Sequence, residues 1–120
     1  MPTHRTTVVI ATRDRCAELL DTVSSRSIRE HPIILVDNAS RDGTFAAVES
    51  LRETLDRPDR LRPIRLRRND GAAARTVGAG LADTEFVAFC DDDSWWVDDS
   101  PARAEALFDR FPTVGFRRSV

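Results

Sequence analysis

Three stretches of this chain are apolar at nearly every position instead of at every second one. They are Thr6-Thr7-Val8-Val9-Ile10-Ala11, Pro32-Ile33-Ile34-Leu35-Val36 and Phe86-Val87-Ala88-Phe89-Cys90. A strand with one face in water alternates, whereas a continuous apolar run predicts a strand buried on both faces, as in a parallel sheet with helices on each side. A weaker run covers residues 61–66, where Pro63 lacks an N–H for a sheet ladder and so favours an edge position.

Between these runs the apolar period changes to that of a helix. Leu19, Leu20 and Val23 form one stripe, with Asp14 in the preceding polar turn as an expected cap. Phe45, Val48, Leu51 and Leu55 form a second, opened by the turn Arg41-Asp42-Gly43-Thr44, in which Asp42 is an expected cap. Residues 72–82 are alanine-rich and predict a third helix, interrupted by Gly78 and Gly80, which read as places of close backbone approach. Ser100-Pro101 starts a fourth, with Ala104, Leu107, Phe108 and Phe111 on one face and Pro112 as its stop. The order βαβαβαβα predicts an α/β fold, a Rossmann-like parallel sheet with helices on both faces. In such sheets ligands bind beyond the carboxyl ends of the strands, where strand order reverses. Three polar clusters stand there, at residues 12–14, at Asp37-Asn38 and at Asp91-Asp92-Asp93.

The last cluster is the most demanding. Three adjacent carboxylates repel one another unless a cation or donor groups offset the charge. Asp-x-Asp at a strand end supplies oxygen ligands suited to Mg²⁺ or Mn²⁺, with positions left for water and phosphate. Asp98, Asp99 and Ser100 are available to cap the next helix, so the triplet is not needed for that. Trp95 and Trp96 read as packing at the margin of the site.

With 120 residues the chain has the length of one domain. Its net charge of −2 argues against a general polyanion binder, so no nucleic-acid partner is expected. All 18 basic residues are arginine, and six of them crowd residues 57–68. That segment reads as a solvated loop and edge strand, or as a place where Arg67 or Arg68 reaches a phosphate or base. Cys16 and Cys90 lie too far apart for a zinc or disulfide framework, and His4 and His31 lack metal spacing. No apolar run approaches a membrane span and no secretory segment follows Met1, so the expected location is cytoplasmic.

Four motifs, in order, resemble family 2 glycosyltransferases with the GT-A fold. They are residues 8–15 (Val8-Val9-Ile10-Ala11-Thr12-Arg13-Asp14-Arg15), residues 36–44 from Val36-Asp37-Asn38 to Gly43-Thr44, Asn69-Asp70-Gly71 with Arg75, and Phe89-Cys90-Asp91-Asp92-Asp93. The resemblance implies a single nucleotide-diphospho-sugar-binding domain over residues 1–120. Ala11, Thr12 and Arg13 would lie against the base, with a guanidinium where the family usually has an aromatic ring. Asp37 or Asn38 would bind the base edge and Asp92 the ribose. Asp91 and Asp93 would hold Mn²⁺ or Mg²⁺ on the diphosphate, and Arg68 or Arg75 would add positive charge. The donor would be a UDP, GDP or dTDP sugar, transferred with inversion to the hydroxyl of an unidentified glycan, lipid or small molecule. The resemblance places the catalytic base in a C-terminal acceptor half that these residues lack, so a partner subunit or self-association is a further expectation.

Two other readings stay open on the residues alone. One is a nucleotide-sugar-binding module or fragment without turnover. The other is a phosphohydrolase with Asp91 as nucleophile and Asp93 as acid/base. That signature normally sits on the first strand and needs a downstream lysine, which is absent here.

Overall fold

The computed structural model describes residues 5–23, 31–92 and 100–110. Strands β1 (Thr6–Thr12), β2 (Ile33–Asp37), β3 (Leu61–Arg65) and β4 (Phe86–Cys90) alternate with helices α1 (Cys16–Val23), α2 (Thr44–Glu53), α3 (Ala73–Leu81) and α4 (Ser100–Arg110). A 3₁₀ turn, Pro58–Arg60, leads into β3. The strands form one parallel sheet in the order β3-β2-β1-β4. Pro63 lies on β3 at the sheet edge, as its missing donor predicts.

This order explains the layers. The chain steps from β1 to β2 to β3 in one direction, and right-handed crossovers put α1 and α2 on the same face. It then returns past β1 to lay down β4, which puts α3 on the other face. Accordingly Val8, Ile10, Ile33 and Leu35 pack with Leu19, Val23 and Val48, while Val9, Ile34 and Val36 pack with Ala74 and Ala82. Val8, Val9, Ile10, Leu35 and Val36 are wholly buried. Each such side chain contributes about 1.5–3 kcal/mol relative to leaving it in water. Helix α4 docks on the α1 and α2 face near the start of β4. There Phe108 stacks on Phe86 at 5.4 Å, and Arg5 pairs with both Glu85 and Asp109.

Three local expectations are corrected. β4 is not buried on both faces: Phe89 is 47% exposed, with Val77 and Leu81 of α3 also exposed. The reason is position, since β4 is a sheet edge among the described residues and α3 packs over β1 and β2. Asp14 does not cap α1. It takes a left-handed conformation with φ 53°, and its Oδ1 accepts the Arg41 N–H at 2.6 Å. The acceptor for the first N–H of α1, that of Cys16, is Asp42 Oδ2 at 3.4 Å. β1 and β2 also run further than their apolar residues, ending on the paired polar residues Thr12 and Asp37. The expected contacts of Trp95, Trp96, Phe111 and Pro112 lie outside the described residues.

Gly78 sets how closely α3 approaches the sheet. A Cβ there would fall 2.5 Å from Val9 Cγ1 and 3.2 Å from Val36 Cγ2, both on stiff β-branched side chains in the core. At Gly80 an added Cβ would meet nothing within 4 Å. Gly78→Ala is therefore expected to destabilise the fold by about 1–3 kcal/mol through overpacking. Gly80→Ala should be neutral or stabilising by up to about 1 kcal/mol through helix propensity. Urea-unfolding midpoints of the two variants check the pair, and equal effects would contradict this packing.

Candidate functional site

Strand order reverses between β1 and β4, and an open cleft of about 470 Å³ lies at their carboxyl ends. Its walls are Ala11, Thr12, Arg13 and Arg15 from the end of β1 and its loop, Asn38 after β2, Arg75 on α3, and Asp91 and Asp92 after β4. Seven residues singled out from the sequence thus come together: Ala11, Thr12, Arg13, Asn38, Arg75, Asp91 and Asp92. Arg68 does not line the cleft. Its side chain is 88% exposed, and its Nε lies 3.1 Å from Asp70 Oδ1. Asp37 lies beneath the surface, fully buried. Asp93 is outside the described residues.

The two described aspartates are held very differently. Asp92 is only 7% exposed. Its Oδ2 accepts the Thr12 hydroxyl at 2.9 Å, and its backbone carbonyl accepts the Thr22 hydroxyl at 2.9 Å. Arg15 Nη1 stands 3.7 Å from its other oxygen. Asp91 is open, with a side chain 66% exposed, and its Oδ1 accepts from Arg75 Nη2 at 3.0 Å. Arg15 was legible in the sequence only as a polar turn residue. Its place in the cleft follows from the left-handed turn at Asp14, which one sequence does not announce.

The loops around the cleft are tied to one another. Asp37 Oδ1 accepts from the Ser40 amide at 3.2 Å and from the Ser40 hydroxyl, and Ser40 Oγ accepts the Asp14 N–H at 2.9 Å. Asp37 Oδ2 is buried with no hydrogen-bond partner among the described residues. Asn38 reaches the third loop, donating from Nδ2 to the Gly71 carbonyl at 3.0 Å and accepting the Asp70 N–H at 2.9 Å. Asp42 joins the starts of both α1 and α2, since its Oδ1 also accepts the Thr44 N–H at 3.0 Å and the Thr44 hydroxyl. Among the described residues, the non-glycine residues with positive φ are Asp14 and Ala39, and both stand in these loops.

Hydrogen bonding from Thr44 holds the Asp42 carboxyl below its ordinary value of 3.8, with the amides of Thr44 and Cys16 adding to it and desolvation opposing. A depressed carboxyl contributes stability that is complete above the unfolded-state pKa and lost as pH falls through the folded one. Asp42→Ala should therefore be less stable than the parent at pH 7. The gap should close on acidification below the ordinary carboxyl range, as followed by thermal unfolding across pH 2–7. A gap independent of pH would contradict the assignment.

The Glycosyl transferase family 2 model matches residues 7–119. The chain belongs to that family. Among solved structures it is similar to the mannosyltransferase PcManGT from Pyrobaculum calidifontis in complex with GDP-Man and Mn²⁺, with a TM-score of 0.80 and 27% identity, covering 94% of this chain and 35% of that one. It is also similar in fold to residues 1-349 of S. aureus TarS in complex with UDP-GlcNAc, with a TM-score of 0.72 and 24% identity, covering 89% of this chain and 32% of that one. The chain thus spans about a third of each of these two structures, and 23% of the longer TarS structure. Among curated proteins none matches. The parallel α/β sheet expected from the sequence is the one these family 2 relatives share.

Proposed function

We propose that this domain binds a nucleotide-diphosphate sugar with a divalent cation, as the donor-binding part of an inverting glycosyltransferase. The observation that carries the reading is the convergence of Thr12, Arg13, Arg15, Arg75, Asp91 and Asp92 on one cleft at the switch point of a family 2 fold. The mannosyltransferase similar to this chain is complexed with GDP-Man and Mn²⁺, which supports a donor and metal of that kind here.

The donor set fits a hard cation. Among the described residues no group of three or more His, Cys, Asp or Glu could hold a metal alone. What the cleft offers is the open carboxylate of Asp91 beside Asp92, and Mg²⁺ and Mn²⁺ sites of this chemistry are commonly completed by water and substrate phosphates. Asp91, with Asp93 as its partner in the proposal, would hold the ion. When bound, the cation supplies Lewis-acid stabilisation of the charge that develops on the departing diphosphate.

The chain's own side chains account for orientation. Asn38, at the cleft wall, is better placed to meet the base edge than Asp37, which is sealed beneath Ser40. Arg13 lies on the same rim, where a guanidinium stacks on a planar base. Asp92, fixed by Thr12, is the acceptor for ribose hydroxyls. Arg15 and Arg75 bring positive charge to the diphosphate, while Arg68 is turned towards Asp70. Attack by the acceptor hydroxyl on the anomeric carbon needs a base. Acceptor and base belong, in this proposal, to the larger part of such proteins that the chain does not span. No helix among the described residues is long and apolar enough to cross a membrane, and the cytoplasmic location expected from the sequence stays part of this proposal.

Calorimetric titration with GDP and with UDP, in Mn²⁺ and in chelator, tests the proposal. The parent chain should bind one of them with metal dependence. Asp91→Ala should weaken that binding at least about tenfold, the scale of losing a charge-assisted ligand. Equal binding by parent and variant in Mn²⁺ would remove Asp91 from the site.

A further inference from the structure

Arg75 and Asp91 form an ion pair inside the proposed donor site, and their geometry carries an inference that rests on the metal and nucleotide reading. We infer that Arg75 occupies the cation's place on Asp91 in the donor-free protein and transfers to the diphosphate when metal and nucleotide enter.

The two aspartates are held in contrasting ways. Asp92 is buried and fixed by two hydroxyl groups from β1 and α1. Asp91 has a single described side-chain partner, Arg75 Nη2 at 3.0 Å, and both side chains are open to water, at 46% and 66%. An exposed ion pair is weak and readily exchanged. Arg75 engages only Oδ1, but a guanidinium 3.0 Å from the carboxylate repels a second cation placed on it, so the two cations compete for Asp91.

Arg75 is also poorly suited to its own position unless an anion lies beside it. It stands in the first turn of α3, which contains no acidic residue, and whose N-cap Ala72 makes no side-chain capping bond. The helix dipole is positive there, so a further positive charge is disfavoured and an anion is favoured. Asp91 supplies that anion in the free protein. Once a divalent ion claims Asp91, the guanidinium needs another anion within the cleft. A diphosphate provides one, with oxygens matched to its fork of donors.

Metal and nucleotide should therefore assist each other by more than their direct attraction. Mn²⁺ alone must displace Arg75, whereas Mn²⁺ with GDP or UDP gives Arg75 a new partner. Removing the guanidinium should then have opposite effects on the two ligands. Arg75→Gln should bind Mn²⁺ alone roughly two- to fivefold more tightly, the range set by losing an exposed ion pair. It should bind the nucleoside diphosphate at saturating Mn²⁺ about tenfold more weakly, as for a lost hydrogen bond between charged groups.

The test is a thermodynamic cycle on the intact chain. Mn²⁺ affinity is read by electron paramagnetic resonance of the free ion, and GDP or UDP affinity by calorimetry, each with and without the other. The parent, Arg75→Gln, Arg75→Lys and Arg15→Gln are compared. Tighter Mn²⁺ binding in Arg75→Gln with reduced metal–nucleotide coupling is expected. Arg75→Lys should stay close to the parent for Mn²⁺ alone, because it keeps the charge. Arg15→Gln removes the same charge from beside Asp92 and should gain less Mn²⁺ affinity than Arg75→Gln. Mn²⁺ binding by the parent with no gain in Arg75→Gln would overturn the exchange and leave the donor-site reading intact. Equal gains in Arg75→Gln and Arg15→Gln would also overturn it, reducing the effect to the general field of the cleft. No Mn²⁺ binding by any of the four, with or without nucleotide, would overturn the donor-site reading and the exchange together.

Discussion

The hydrogen bond from Thr12 to Asp92 joins the ends of β1 and β4, and the cleft exists only because those two strands are neighbours. Ile10 lies opposite Cys90, where β4 ends, while β1 stays paired with β2 as far as Thr12. Thr12 then meets Asp92 below the surface and leaves Asp91 facing the solvent. A buried carboxylate without partners is costly, and Thr12 with nearby Arg15 offsets that cost, while Thr22 holds the backbone carbonyl of the same residue. If β4 were paired anywhere else in the sheet, the acidic cluster would have no basic wall opposite it.

Around that joint, the loops at the carboxyl end of the sheet act as one assembly. Asp37 holds Ser40, Ser40 accepts from Asp14, and Asp14 accepts from Arg41, so the β1 and β2 loops fix each other's path. Asn38 extends the same tie to Asp70 and Gly71 at the start of α3. The side chain of Arg75, in the first turn of α3, is thereby carried by a helix whose start is anchored to β2. Close seating of that helix on Val9 and Val36, allowed by Gly78, sets the depth of the wall that Arg75 forms. Core packing and cleft geometry are in this sense one constraint.

Much of this was legible in the residues. Unbroken apolar runs followed at once by Thr12, Asp37-Asn38 and Asp91-Asp92 announce buried parallel strands with their polar residues gathered at one end. Pro63 marked β3 as an edge. What was not legible depends on tertiary arrangement. The exposure of Phe89 follows from β4 lying at an edge, which strand order decides and composition does not. Asp42 was readable as a cap for the helix after it, but its reach to Cys16 crosses between two loops. Ala39 in a left-handed turn carries no signal at all, since alanine has no preference for that conformation. Arg15 enters the cleft for a similar reason, because the turn at Asp14 redirects the chain.

Whether donor and metal meet at the β1–β4 switch point can be read from paramagnetic broadening of backbone amide signals by Mn²⁺ with GDP or UDP. Signals of Thr12, Asn38, Asp91 and Asp92 are expected to be lost first, while those of Thr6, Leu61 and Phe86 at the opposite end of the sheet persist. Broadening centred on that opposite end, or on the arginine-rich edge at Arg65 and Arg67, would contradict it.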